Sequence, residues 1–305
     1  MGLTVTTLRL IIRSVAELER RESVLTYGIQ DVYATYDELK RAFHGMRQPY
    51  EEVGKSDRKL SSSRLFQERP FARNRGNVDA SVLFRMLGFA RYASLDLLDL
   101  DGPPTIRHDL NNPIPRDWEA TQDLVVDAGT IEHIFDIKTA LCNTARLVRE
   151  RGMVIHASPV LWYDHGFYGI NPTLLVDFYS ANGFRILDTT CFLFDDYGSV
   201  YKKQWCFSYD GLASPPPWYL GSYQLGVFFR AQRVSALNDR FVVPMQRYYA
   251  TLQEDTAAEG RHPRTMSDSK GPAFALLPTT VHLRLSKLNN DLRRWRWFRR
   301  IRYRF

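Results

Sequence analysis

The chain has 305 residues, 44% hydrophobic and 25% charged, the composition of an ordinary globular protein and enough for one large domain with an extension or for two domains. No apolar run approaches the roughly 18–20 residues of a membrane span, and Arg9, Arg13 and Glu17 interrupt the N-terminal apolar residues, so no secretory leader is expected. Three scattered cysteines, Cys142, Cys191 and Cys206, suggest neither a disulfide framework nor a zinc site. No metal is expected, and a reducing cytoplasmic setting is. The net charge of +7 is local: seven arginines lie between Arg293 and Arg304, and without them the formal charge is near zero. The basicity belongs to the tail and not to a basic cleft, which argues against a nucleic-acid-binding body.

In chain order, residues 4–20 carry Val5, Leu8, Ile12 and Val15 at helical spacing, with Ile11 adjoining that face. SVLTY (23–27), ending at Gly28, reads as a buried strand. Thr35 and Glu38 have the spacing of a capping box, which predicts a helix from about Thr35 through Phe43. Residues 47–78 are polar and read as a surface excursion with little core. Asp79 caps a helix over 79–89. Strands then alternate with helices: RYASLD (91–96), PTIRHDL (104–110), DLVVDAG (123–129), a helix over about 135–149, GMVIHASP (152–159), and a helix over about 171–182 stopped at Gly183. Residues 184–194 and 223–234 read as two late strands, with a loop or flap around Pro215-Pro216-Pro217 between them, and 251–272 as a linker. The organisation expected is an N-terminal helix over 1–22, a main domain over 23–236 and an extension over 237–305. This alternation predicts βαβ crossovers and an open, mostly parallel, Rossmann-like α/β sheet with helices on both faces.

Ligands bind such sheets beyond the carboxyl ends of the strands, and polar residues gather there. Asp96 closes the second strand, with Asp99 close behind. The third runs into His108-Asp109-Leu110-Asn111, and the fourth into Asp127-Ala128-Gly129-Thr130-Ile131-Glu132-His133. Any one aspartate at such a place is as readily a turn or helix cap. Three successive strand ends with acids or amides are harder to dismiss.

From Ser23 to about Val234 the chain resembles class I S-adenosylmethionine-dependent methyltransferases of the type 11 group. The resemblance is carried by Asp96, by the Asp-Leu-Asn at 109–111, and by DLVVDAGTIEHI (123–134) followed by ARLVRERGMVIHASP (145–159). It implies S-adenosylmethionine as cofactor, with Asp96 on the ribose hydroxyls and Asp109 on the adenine amine. It also implies cofactor contacts at Gly28, Asp31, Leu110, Gly129 and Glu132. The chain departs from the family at the first turn, where Tyr27-Gly28-Ile29-Gln30-Asp31 stands in place of Gly-x-Gly-x-Gly and keeps only Gly28. Ile29 and Gln30 would crowd the methionine part of the cofactor, unless the loop before Thr35 bulges outward.

YDHGFYGINP (163–172) follows the fifth strand and, in this architecture, faces the acceptor. His165 is the preferred general base there and His133 its competitor, because imidazole titrates near neutrality. The alternative is that His165 braces its loop and His133 packs on the cofactor ribose. Tyr163, Phe167 and Tyr168 are either acceptor-pocket residues or plain packing. The acceptor expected is a small molecule or glycan, methylated at oxygen. The competing reading is a non-catalytic binding protein that kept the fold and lost the glycine loop.

Leu285, Leu288, Leu292, Trp295, Phe298, Ile301 and Phe305 recur at spacings of three and four among the tail arginines, a basic amphipathic helix. It suits either an anionic membrane surface, giving peripheral attachment, or docking on protein, with nucleic acid the weaker third option. Met1-Gly2 through Thr6 also matches a short myristoylation pattern.

Overall fold

The structure is a computed structural model. It describes residues 2–63, 66, 68, 72, 74–98, 105–194, 200–202, 204–209, 224–236, 241–247 and 249. The chain divides into a main unit, 1–211 with 223–244, and a second unit of 212–222 with 245–305. The description below concerns the main unit. The predicted linker and tail helix lie outside the described residues.

Among the described residues eight strands form one sheet: β1 (Ser23–Tyr27), β2 (Arg91–Asp96), β3 (Ile106–Arg107), β4 (Gln122–Ala128), β5 (Val148–Leu161), β6 (Phe184–Phe194), β7 (Trp205–Ser208) and β8 (Gln224–Arg233). Their order is β3-β2-β1-β4-β5-β8-β6-β7. β1 pairs in parallel with β2 and with β4, β2 with β3, and β4 with β5. β8 is antiparallel to both β5 and β6, and β7 is antiparallel to β6. The order reverses between β1 and β4, the switch point of an open α/β sheet.

Neighbouring residues of the central strands feed opposite faces, the period of two that a pleated strand imposes. On one face Val24, Leu124, Val126, Ile155 and Phe228 pack with Leu8, Ile11 and Ile12 of α1 (Val5–Val15), Leu39 and Phe43 of α2 (Tyr36–Met46), and Leu83 and Phe84 of α3 (Ala80–Met86). On the other, Leu25, Val125, Val154, Val227 and Phe229 pack with Leu141 and Ala145 of α4 (Ile137–Leu147) and Leu175, Phe178 and Tyr179 of α5 (Pro172–Ala181). Burial on both faces explains why these strands read as unbroken apolar runs. Each fully buried aliphatic or aromatic side chain contributes roughly 1.5–3 kcal/mol.

At the amino end of the sheet Asp123 ties β1 to β4. Its Oδ2 accepts from the backbone N–H groups of Glu22 (2.8 Å) and Ser23 (2.9 Å), and Arg149 lies 3.0 Å from Oδ1. The capping box at Thr35 is present in both directions, Glu38 N to Thr35 Oγ1 and Thr35 N to Glu38 Oε2.

Three expectations are corrected. Residues 47–78 do contribute to the core, because Val53, Phe66, Ala72 and Val78 are buried in the first cluster. The third strand is two residues long and not seven, because Asp109 and Asn111 turn the chain immediately after it. The segment before β8 contains a further strand, β7, against β6. Gly2 is buried, and a Cβ there would stand 2.6 Å from the Asp31 carbonyl oxygen. Close backbone packing is itself a reason for glycine there.

Candidate functional site

The carboxyl ends of β1, β2, β4 and β5 lie along one edge of the sheet, and most of the predicted polar residues meet there. At the switch point β1 ends in Gly28, whose φ of +71° is strained for any residue with a Cβ. Its N–H donates to the Leu95 carbonyl at 2.7 Å, which pins the turn to β2. A Cβ on Gly28 would stand 3.5 Å from Asp96 Oδ2, 3.6 Å from Thr130 Oγ1 and 3.8 Å from Gln30 Nε2. These three side chains surround the turn. Asp96 is partly exposed, and its Oδ1 accepts from Leu98 N at 3.1 Å. Gln30 folds back, donating from Nε2 to the Tyr27 carbonyl at 2.6 Å. Its Oε1 is buried without a hydrogen-bond partner. Thr130 Oγ1 donates to the same carbonyl at 3.1 Å, which links β4 to β1 across the switch.

β4 runs into a short 3-10 turn, Ile131–His133, through Gly129 with φ +87°. The turn hangs on Asp127, whose Oδ1 accepts from Thr130 N (3.1 Å) and Ile131 N (3.2 Å). Asp127 Oδ2 lies 2.7 Å from His156 Nδ1, and His156 Nε2 lies 2.7 Å from the Tyr179 hydroxyl. All three side chains are fully buried. Burial raises the Tyr179 phenol well above its ordinary range. This chain of bonds was not anticipated. Its signal was available, since Asp127 and His156 each interrupt the apolar run of a central strand and share one register pair.

The turn presents Glu132 and His133, and the loop after β5 brings His165 to them. Glu132 is completely buried. Its Oε1 lies 3.6 Å from His165 Nε2 and 4.0 Å from His133 Nε2, and the imidazoles meet edge to face at 4.9 Å. Burial is the main cause lowering the His133 pKa. Glu132 opposes that shift and His165 adds to it. The loop is latched to the turn by backbone bonds: Phe167 N and Tyr168 N donate to the Glu132 carbonyl at 2.7 and 3.2 Å. Gly166 permits this approach, since a Cβ there would stand 2.7 Å from that oxygen. Trp162 stacks on His165 at 5.2 Å.

The remaining expected residues are not gathered so closely. Asp109 sits after β3, and its Oδ1 accepts from Asn111 N and Nδ2 at 2.9 and 2.8 Å. The Asn111 bonds lower its pKa, that from the backbone N–H most. Leu110 is buried in the core, so its side chain serves packing. Asp31 is buried, and its carbonyl accepts from Leu3 N at 2.7 Å. Tyr163 is 97% exposed. Phe167 instead packs edge to face on Phe135 at 5.6 Å, both exposed beside the histidines. Asp99 lies outside the described residues. Two surface clefts of about 360 and 320 Å³ lie elsewhere, around Leu60–Asn77 and between α1 and α2. Neither contains the residues gathered at this edge.

Strand order, register and switch point define an open α/β protein of the Rossmann-like class. No protein-family model and no curated protein sequence matches the chain. Among solved structures it is similar to a Bacillus halodurans C-125 protein named as a candidate methyltransferase, at 11% identity over 74% of this chain and 99% of that one, with TM-score 0.40. It is similar to 1,6-didemethyltoxoflavin-N1-methyltransferase of Burkholderia thailandensis, solved with S-adenosylhomocysteine, at 13% identity over 75% and 77%, TM-score 0.38. A SAM-dependent methyltransferase from Aquifex aeolicus matches at 12% over 75% and 91%, TM-score 0.35. These are likenesses of architecture, and the fold itself rests on the strand order and register. Among the described residues no helix is long and apolar enough to cross a membrane.

Proposed function

We propose that the chain is an S-adenosylmethionine-dependent methyltransferase acting on an oxygen of a small-molecule or glycan acceptor. The observation that carries this reading is one sheet edge with two polar groups on it. Gly28 and Asp96 stand at the switch point, and Glu132, His133 and His165 stand on the loops after β4 and β5. The donor set suits the cofactor. The Asp96 carboxylate stands ready for a ribose diol, as acids do in dinucleotide folds, and buried Gln30 Oε1 lacks a partner. Asp109 would accept from the adenine amine at the cost of bonds it now accepts from Asn111. Gly129 and the Asp31 loop would complete the cradle. Bound there, S-adenosylmethionine supplies an activated methyl group on a cationic sulfonium.

The chain's own residues then orient the acceptor and remove its proton. Phe135 and Phe167 offer an exposed apolar platform beside the imidazoles. His165 is the proton acceptor of first choice, with Nε2 held 3.6 Å from Glu132, and His133 the second. The principal gain is positioning of the nucleophile. With an accepted substrate, His165→Ala lowers turnover by roughly 100-fold, the usual loss of a general base, and leaves cofactor affinity unchanged. Steady-state kinetics beside a cofactor titration check this, and full turnover in the variant would move the role to His133.

The proposed anionic-membrane partner of the tail rests on the sequence pattern at 285–305 alone.

A further inference from the structure

Glu132 is held in a costly state. Its side chain is wholly buried and neither carboxylate oxygen has a hydrogen-bond partner. Buried polar groups are almost always paired, and a charge without hydrogen bonds is the most expensive exception. Two imidazole nitrogens nevertheless converge on one of those oxygens, His165 Nε2 at 3.6 Å and His133 Nε2 at 4.0 Å. His165 Nε2 is itself buried without a hydrogen-bond partner. The three atoms all lie within 4.8 Å of one another. Ligands about 2.0–2.2 Å from a first-row ion stand about 3–3.5 Å apart, so small side-chain rotations close the set.

The backbone already ties these groups together. Asp127 anchors the turn that carries Glu132 and His133. The His165 loop is bonded to the Glu132 carbonyl, and Trp162 stacks on the His165 ring. Such outer contacts are what orient ligands in metal sites. The sequence gives no spacing signal, because the ligands come from two loops that only the β4–β5 pairing makes neighbours.

We propose that Glu132, His133 and His165 bind one divalent first-row transition-metal ion. Two imidazoles and one carboxylate select zinc, manganese, iron or cobalt over magnesium and calcium. Three protein ligands leave positions open for an oxygen or nitrogen donor. The existence of the site does not depend on methyl transfer. Its use, holding the acceptor with the imidazoles as ligands where they would otherwise serve as bases, rests on that reading.

The test is calorimetric titration of untagged, chelator-treated full chain with zinc chloride, with cobalt chloride as a visible-absorption probe. One ion per chain is expected, with cobalt d–d bands typical of nitrogen and oxygen ligands. His133→Ala and His165→Ala each weaken zinc binding by at least about tenfold, since losing even a group that only orients a ligand costs about that much, and His44→Ala leaves it intact. Because Glu132 is buried, Glu132→Gln is informative only if circular dichroism shows it folded. The histidine variants, whose side chains are partly exposed, carry the test in either case. No stoichiometric binding, or binding that survives both histidine variants, overturns the site. A parallel S-adenosylmethionine titration separates the two proposals: zinc without cofactor removes methyl transfer and keeps the metal site, and cofactor without zinc does the reverse.

Discussion

At the scale of single residues, the sheet edge depends on buried polar groups that satisfy each other. His156 bridges Asp127 and Tyr179 with two contacts of 2.7 Å in a fully buried setting. Replacing it by Phe keeps a ring of similar bulk and removes the imidazole from both Asp127 Oδ2 and the Tyr179 hydroxyl. The expected loss is about 3 kcal/mol, the upper range for leaving a buried polar group unpaired, read as a lower urea midpoint. A midpoint equal to wild type would mean that water replaces the imidazole. Asp127 also fixes the turn carrying Glu132, so this variant should weaken any ligand held there. Gly28 and Gly166 have separate reasons to be glycine. The first needs a positive φ, and the second both a positive φ and room for the Glu132 carbonyl.

At the scale of elements, much was legible in the sequence. The capping box at Thr35, the cap at Asp79 and the acid at the end of β2 are local signals, and the structure contains all three. The errors came where tertiary contacts decide. Residues 47–58 look solvated by composition, yet Tyr36 of α2 reaches them. Its hydroxyl donates to Glu52 and accepts from Val53 N, and the Arg58 guanidinium lies 3.7 Å from its ring centre. The site divides the same way. The strand-end acids could be named from order along the chain, but the meeting of His133 with His165 depends on β4–β5 pairing. The Asp127–His156 bond depends on register.

Glu52 also gives this element a pH signature. Hydrogen bonds from Lys40, then Tyr36 and Tyr50, pull its pKa from 4.5 down to about 2. A depressed carboxylate stabilises the folded state above its unfolded pKa, and that stabilisation is lost as pH falls through the folded value. The gap in melting temperature between wild type and Glu52→Gln should therefore be present above pH 4.5 and close toward pH 2. The group is solvent-facing, so the gap is small and shrinks in salt. A gap that is constant from neutral pH to pH 2 would contradict the assignment.

At the scale of the whole molecule, a sheet buried on both faces is a rigid platform, and its two loop clusters are where chemistry can be mounted. The tail is a separate matter of charge and apolar spacing. Each arginine near an anionic surface is worth about 1 kcal/mol, and the attraction fades with salt. Full-length chain should sediment with anionic vesicles at low salt and less at high salt, and a chain ending near Ser286 should stay in solution. Indifference of the full chain to vesicles would leave the apolar stripe as a protein contact.

The central claim is that the β1–β4 switch point holds S-adenosylmethionine, and calorimetric titration of the folded chain with that cofactor and with S-adenosylhomocysteine tests it most directly. One site per chain is predicted, weakened by roughly 1–3 kcal/mol in Asp96→Ala and in Asp109→Ala, the cost of an unpaired polar partner. Absence of binding by folded wild type, or equal binding by both folded variants, would contradict it. The first of these results would leave Gln30, whose side chain folds back on the Tyr27 carbonyl beside Gly28, as the group that blocks the turn.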